Sequence, residues 1–451
     1  TNYFTDSVIT FLVLLVLCNC KIYSQDPTYA GIPDANRVLV VYNSNSDTSF
    51  MVANYYKNVR NIPTSNIVPL FLPDSVPVTY QGSTHYVGIR QETDIILDLY
   101  NNSIGTWTPT FHAWKYYLDY VSTPIRNWIN SHNLSSIIRY VVLVKGVPFK
   151  IQAVGHGGTA SYNYGNCTVD GLLCMLNTNN YDSFIENSVY LHNKLNPYHY
   201  ADPNFTLEHR FLPDHYVTEE YKLSYLVSHL DGISYDIVKG IIDRSLVPDT
   251  SGTATWILDN DPAFGYYFKS TKDNLEALGF NVFDDYSHNW ITSYNGNVMG
   301  YASWGTHAED GNEFWNDSAW VKDSLHFSLS NGSVFNTNES FNGNSMGTLK
   351  WHYVVHESPN WHHTQGLATQ FTQIGGTATL GHAFEPWTDG IIDNSIFFPA
   401  YAVGYNLVDA AYLGMKYLAH ENVIVGDPLL RIGRNCQPMI ITSNTTLTSG
   451  D

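Results

Sequence analysis

Arg37-Val38-Leu39-Val40-Val41-Tyr42 is a short, continuous apolar run. A strand covered on one face alternates apolar and polar residues, whereas a strand covered on both faces is apolar throughout. The run therefore reads as a buried parallel strand. A polar turn follows over residues 43–49, then helical spacing over 50–60, which Asn61-Ile62-Pro63 stops. Residues 67–72 read as a second strand. The resulting β-α-β unit predicts an α/β fold with mostly parallel sheets flanked by helices.

The alternation continues outward. Residues 111–132 are amphipathic, interrupted at Pro124, and lead into a buried strand over 137–144 that Lys145-Gly146-Val147-Pro148 closes. Residues 152–220 are aromatic, Asn-rich and irregular, and read as an insertion; helical periodicity returns over 226–246. Further on, strands are expected over 253–258, 281–283, 298–303, 333–336 and 376–381, and helices over 271–278, 366–374 and 408–418. With 451 residues, the chain is too long for one ordinary core, and two sub-domains are expected, 25–245 and 246–433.

Apolar residues make up 44% of the chain, enough for a large core. Acidic side chains outnumber basic ones 41 to 22, and the net charge of −19 repels phosphate backbones, which excludes nucleic acid as a partner class. Residues 8–17 (VITFLVLLVL) form an apolar run of signal-peptide length, too short to span a bilayer. Ile22-Tyr23-Ser24 before Gln25 suits cleavage, so residues 1–24 are expected to be a signal peptide and the mature protein secreted or on the cell surface, with peripheral or no membrane association. Of five cysteines, Cys18 and Cys20 leave with that segment, Cys167 and Cys174 are expected to close a small disulfide loop, and Cys436 is left over. Eight Asn-x-Ser/Thr sequons are glycosylation sites wherever the host has that pathway. Residues 434–451 are polar and read as a linker or the start of a further region.

In parallel α/β sheets, ligands bind beyond the carboxyl ends of the strands. That rule selects Asn43, Asp47, Lys145, Asp259, Asp261, Ser303, Trp304, His307, Ser340, His382 and Glu385. Ser340 or Ser303 with His307 as base and Glu309 as orienting acid would make a nucleophilic pair; ordinary turn polarity is the simpler alternative. Asp259 and Asp261 offer a divalent-cation site or an acid-base pair; the alternative is a turn and helix cap before Pro262. His352, His356, His362 and His363 cluster with Trp351 and Trp361, but Ser358-Pro359-Asn360 points to a surface loop. His382 and Glu385, held by Pro386, either line the cleft or make a structural hydrogen bond. The 33 tyrosines and 11 tryptophans supply either glycan-stacking faces or core.

Six segments resemble, in order, a family of exported bacterial proteins of unknown function. They are Arg37-Val38-Leu39-Val40-Val41-Tyr42-Asn43, Val144-Lys145-Gly146-Val147-Pro148, Leu226-Val227-Ser228-His229-Leu230-Asp231-Gly232, Gly300-Tyr301-Ala302-Ser303-Trp304-Gly305, Gly381-His382-Ala383-Phe384-Glu385-Pro386 and Val425-Gly426-Asp427-Pro428-Leu429. The second half is also similar to the gingipain-type cysteine peptidases, which have a caspase-like fold, through Gly375-Gly376-Thr377-Ala378 and Gly426-Asp427-Pro428-Leu429-Leu430-Arg431. This resemblance implies that Trp304 stands at the histidine position and that Ser340, in Glu339-Ser340-Phe341-Asn342-Gly343, stands at the cysteine position. It further implies that strands 298–303 and 333–336 are parallel neighbours, with Trp304 and Ser340 on one rim. No cysteine lies between Cys174 and Cys436, and tryptophan cannot act as a base, so thiol peptidase chemistry is excluded by this placement. The expected function is a non-catalytic binding or assembly module for an extracellular protein, peptide or glycan. The alternatives are a hydrolase using Ser340 with His307, or a cation site at Asp259 and Asp261. No cofactor is required; a divalent cation belongs only to that last alternative.

Overall fold

The computed structural model describes residues 34–90, 95–99, 111–151, 167–187, 194–199, 221–304, 325–339, 342–343, 345–347, 366–383, 387–419 and 421–433. In its first half run β1 (Val38–Asn43), α1 (Asp47–Arg60), β2 (Ile67–Leu70), β3 (Val76–Tyr80), β4 (Ser83–Arg90), β5 (Ile95–Asp98), α2 (Phe111–Tyr117), α3 (Thr123–Ser131), β6 (Tyr140–Val144), β7 (Lys150–Ile151), β8 (Cys167–Thr168), α4 (Val169–Cys174), α5 (Tyr181–Asn187), β9 (Leu226–Leu230) and α6 (Tyr235–Leu246). The second half holds β10 (Thr255–Asn260), α7 (Lys269–Ala277), β11 (Val282–Tyr286), β12 (Ser293–Ser303), β13 (His326–Thr337), α8 (Leu367–Gln373), β14 (Ala378–His382), α9 (Trp387–Gly390), α10 (Asn394–Ala402), α11 (Leu407–Gly414) and β15 (Asn422–Val425).

The opening unit forms as its sequence dictates. Val38 to Val41 are fully buried. Ser46 caps α1 by accepting from Ser49 N, and Asn61 ends it in the left-handed conformation (φ 55°). Pro124 does not interrupt its helix. It lies in the first turn of α3, where its missing N–H costs nothing, and a π turn over Leu118–Ser122 keeps the backbone helical from α2. Residues 226–246 are not one helix: Leu226–Leu230 is a strand buried at every position, and α6 begins only after Ser234, whose hydroxyl accepts from Ile237 N.

Ten strands form one sheet in the order β11-β10-β12-β13-β14-β15-β9-β6-β1-β2. Every neighbouring pair is parallel except β14 with β15. The sheet is therefore two parallel blocks of opposite direction, and β15 hydrogen-bonds to both. The strand pair expected from the sequence is present: Ser303 lies opposite Thr337, with β12 and β13 parallel. A second sheet, β3-β4-β5-β7-β8, packs its apolar face into the same core as α2. Its hairpin turns at Gln81-Gly82, both with positive φ, as a two-residue type I′ loop needs. This sheet was not read from the sequence, because the outer face of β4 is polar and exposed at Thr84 and its strands lack a continuous apolar run.

Candidate functional site

Chain order within each block locates the crevices. In the block β11-β10-β12-β13-β14, the chain starts at β10, moves to β11 on one side and then to β12 on the other. The strand order thus reverses between β10 and β12, and at such a point the loops diverge and leave a crevice beyond the carboxyl ends. Asp259 pairs with Ser303 at that edge, and Trp304 follows immediately.

Three aromatic rings close the edge. Trp304 stacks on Phe264 with centroids 4.1 Å apart and planes 10° apart, and Tyr267 meets the indole edge-on at 5.1 Å. Trp304 is 8% exposed, whereas Phe264 and Tyr267 are 46% and 43% exposed. Tyr266 and Tyr286, also exposed, pair beside them at 5.0 Å. Trp304 Nε1 has no hydrogen-bond partner among the described residues. Polar sequence reasoning missed Phe264 and Tyr267; the signal was the aromatic run Phe264-Gly265-Tyr266-Tyr267-Phe268 directly after a strand end.

Beneath the rings lies a buried acid. Asp259 Oδ2 accepts from Ser303 Oγ at 2.9 Å and from Ile291 N at 3.2 Å. Tyr301 Oη lies 3.1 Å from the same oxygen and 2.7 Å from the carbonyl of Ile291. A phenol has one proton, and a carbonyl can only accept it, so the Tyr301 contact with Asp259 is satisfied when Asp259 itself carries a proton. Burial acts in the same direction: it pushes the carboxyl up to about 7 against the hydrogen bonds that lower it. Asp261 is differently placed. It caps the turn Pro262–Phe264 by accepting from Ala263 N at 2.7 Å, and its Oδ1 lies 3.2 Å from His288 Nδ1. The cap before Pro262 is thus what forms there.

His382, at the end of β14, lies on the same edge. Its Nδ1 donates to the Glu339 carbonyl (3.0 Å), its N–H to Asn342 Oδ1 (3.0 Å), and its carbonyl accepts from Gly343 N (3.1 Å). His382 is 1% exposed, and these bonds make it a strut for the turn after β13. That turn lies directly on β14: a Cβ on Gly381 would stand 2.8 Å from Gly343 Cα. Gly381→Ala is therefore expected to cost about 1–3 kcal/mol by overpacking and to loosen Asn342 and Gly343. Thermal unfolding with hydrogen exchange across that turn checks this; unchanged exchange would contradict it. Buried Asn338, Glu339, Asn342 and Glu421 also gather here, unforeseen from the sequence because nothing in the pattern separates them from surface loop residues.

The other sequence-selected residues fall elsewhere. Asn43 and Lys145 end strands of the reversed block, so they occupy the opposite edge from Trp304. The sequence rule put them in one cleft because it could not see the reversal at β14/β15. There Asn43 Oδ1 accepts from Asn45 N (2.9 Å), and Lys145 pairs with buried Asp231 (3.2 Å). Asp47 opens α1. Ser340, His307, Glu309, Glu385 and the histidines at 352, 356, 362 and 363 lie outside the described residues.

The expected Cys167–Cys174 bridge is not formed: Cys174 is a free, buried thiol. The reason is α4, which starts just after Cys167 and ends at Cys174. Six helical residues advance the chain by about 9 Å, beyond the Cα separation of about 7 Å that a disulfide tolerates. Cys174 Sγ instead contacts Tyr412 Oη at 3.0 Å, and burial pushes its thiol far up, so it is unreactive.

No helix among the described residues is long and apolar enough to cross a membrane. No family model matches the chain, and no curated protein matches it either. In its mostly parallel sheet flanked by helices, the chain is similar to solved peptidase structures. One is the complex of Porphyromonas gingivalis RgpB pro- and mature domains, at 13% identity over 88% of this chain and 79% of that chain, with a TM-score of 0.45. Another is the Arg-specific cysteine proteinase gingipain R (RgpB), at 12% identity over 89% of this chain and 79% of that chain, with a TM-score of 0.44.

Proposed function

We propose that the protein is a non-catalytic binding module, secreted or on the cell surface, that takes a peptide or glycan on the aromatic edge formed by Phe264, Tyr267 and Trp304. The observation that carries this reading is the stacked Phe264–Trp304 pair where the strand order reverses between β10 and β12. Planar rings with a solvent-facing side bind sugar faces and peptide side chains through dispersion and desolvation. Ser303 Oγ donates to Asp259 Oδ2, which keeps that hydroxyl in the buried network beneath the rings. The net charge of −19 keeps nucleic acid out of consideration.

Peptide and glycan arrays probed with the wild type and with Phe264→Ala test this. Because Phe264 is half exposed, the substitution should leave the unfolding temperature unchanged while weakening array binding at least about tenfold, as removal of an interface anchor does. Array binding identical in the two proteins would remove this edge from consideration.

A second reading keeps a hydrolase, with Ser340 as nucleophile and His307 as base. It draws support from Asp259, whose carboxyl lies near neutrality at a strand end, where general acids and bases operate. Under that reading Asp259 would titrate with the activity.

A further inference from the structure

We infer that His85, Asp98 and His112 form a binding site for one divalent transition-metal ion of the zinc class, on the second sheet and separate from the Trp304 edge.

The placement follows from strand periodicity. Side chains two apart along a strand share a face, so Ser83, His85 and Val87 of β4 point the same way. Asp98 of β5 pairs with Val87 and Tyr80 of β3 pairs with Ser83, which puts both on that face. Helix α2 lies over it and supplies His112. One carboxylate and two imidazoles thus meet between a sheet and a helix.

The atoms converge. One ligand atom from each of the three residues lies within 4.8 Å of the other two. His85 Nδ1 is 2.7 Å from Asp98 Oδ2, and His112 Nδ1 is 3.8 Å from the same oxygen. A tetrahedral ion with nitrogen and oxygen donors at about 2.0–2.2 Å holds those donors about 3.3 Å apart. The two observed separations bracket that value, and binding requires the stacked rings to turn apart until both lone pairs point at the ion. The rings stack at 3.6 Å, and both can turn about the Cβ–Cγ bond.

A second, independent feature is the far side of His112. Its Nε2 lies 3.2 Å from the Ser83 carbonyl and 3.1 Å from Ser83 Oγ. Ser83 Oγ donates its own proton to the Tyr80 carbonyl at 3.1 Å, so toward His112 it accepts. Both contacts require a proton on Nε2. The lone pair of a neutral His112 is then on Nδ1, facing the Asp98 carboxylate. That places an imidazole lone pair 3.8 Å from a fully buried carboxylate oxygen, the donor arrangement that a bound cation would bridge. A histidine that donates its far N–H to a backbone carbonyl is also how metal ligands are oriented. Tyr80 stacks on Phe111 at 5.0 Å and meets His112 edge-on at 6.1 Å. The His85 side chain is 16% exposed, which leaves an entry path for the ion. Soft thiolates are absent from this set, and two imidazoles with one carboxylate favour zinc-class ions over calcium or magnesium.

The test uses the whole chain, stripped of metal with a chelator. Titration with Zn2+ should show one saturable equivalent of micromolar or tighter affinity and a rise in unfolding temperature. His85→Gln and His112→Gln should each weaken that equivalent at least tenfold, and Ser83→Ala, which removes one of the two acceptors for Nε2, should weaken it less. Substituting His352, His356, His362 and His363 together by Gln should leave it intact, which decides the matter even where a core variant fails to fold. X-ray absorption of the zinc complex should show nitrogen and oxygen neighbours with no sulfur. Absence of a saturable equivalent, its loss in the fourfold loop variant, its retention in His85→Gln and His112→Gln, or a zinc–sulfur shell would each overturn the site.

Discussion

Replacing Asp409 by alanine is expected to destabilise the protein by about 3–5 kcal/mol, the range for breaking a buried ion pair from one side. Asp409 sits on α11 and binds Arg139 and Tyr198, Tyr140 Oη at 2.6 Å, and Asn406, which also caps the helix by accepting from Asp409 N. Burial alone would raise its carboxyl; the charge of Arg139 and the donated hydrogen bonds outweigh that and hold it below its ordinary value. Removing the carboxylate takes the Asp409 charge away from the Arg139 guanidinium, which is also buried and lies next to two phenols. Denaturant unfolding measures the loss. A double replacement, Arg139→Met with Asp409→Leu, should recover much of it, because the cost is the loss of one side of a buried ion pair and not missing contact area. A loss under about 1 kcal/mol in Asp409→Ala would contradict this account of the network.

The Asp259 carboxyl should act in the opposite sense. Its folded value of about 7 lies above the ordinary 3.8. Between those values the unfolded chain has released a proton that the folded protein retains, so stability falls as pH rises from about 4 to about 7 and stays reduced above it. Three pKa units correspond to about 4 kcal/mol at most. Asp259→Asn cannot ionise, so it should be more stable than the wild type at pH 8, about equal at pH 4, and flatter between. Parallel pH profiles for the two proteins would show that Asp259 is ionised in the fold and that Tyr301 is oriented some other way.

Much of this fold was legible because its central strands are covered on both faces. Val38 to Val41 could only be a buried strand, and β10, β12 and β14 were found the same way. The motif Gly426-Asp427-Pro428 was visible too, but its job was not. Asp427 accepts from Tyr56 Oη and Arg60 Nε, each at 2.7 Å, so it ties the end of the chain to α1 across the whole sequence. Pairings of that range leave no local pattern. The reversal at β14/β15 was hidden for the same reason: β15 is four residues long, and its direction is set by partners far away in sequence. The second sheet was missed because a half-exposed hairpin of Thr, Tyr, Ser and His resembles a polar loop. At the candidate site, Ser303, Trp304, Asp259 and His382, selected as strand-end residues, share one edge because β10, β12, β13 and β14 run parallel. Phe264 and Tyr267 escape a rule based on polar residues at strand ends, because the edge is built from rings.

The central claim is that this edge binds and does not turn over. The most direct test is incubation of diverse peptide and glycan libraries with the wild type, Ser340→Ala and Phe264→Ala, followed by mass spectrometry of the products and of the retained ligands. The account predicts no cleavage by any of the three, equal retention by the wild type and Ser340→Ala, and loss of retention by Phe264→Ala. Cleavage by the wild type that Ser340→Ala abolishes would contradict it and establish the hydrolase instead.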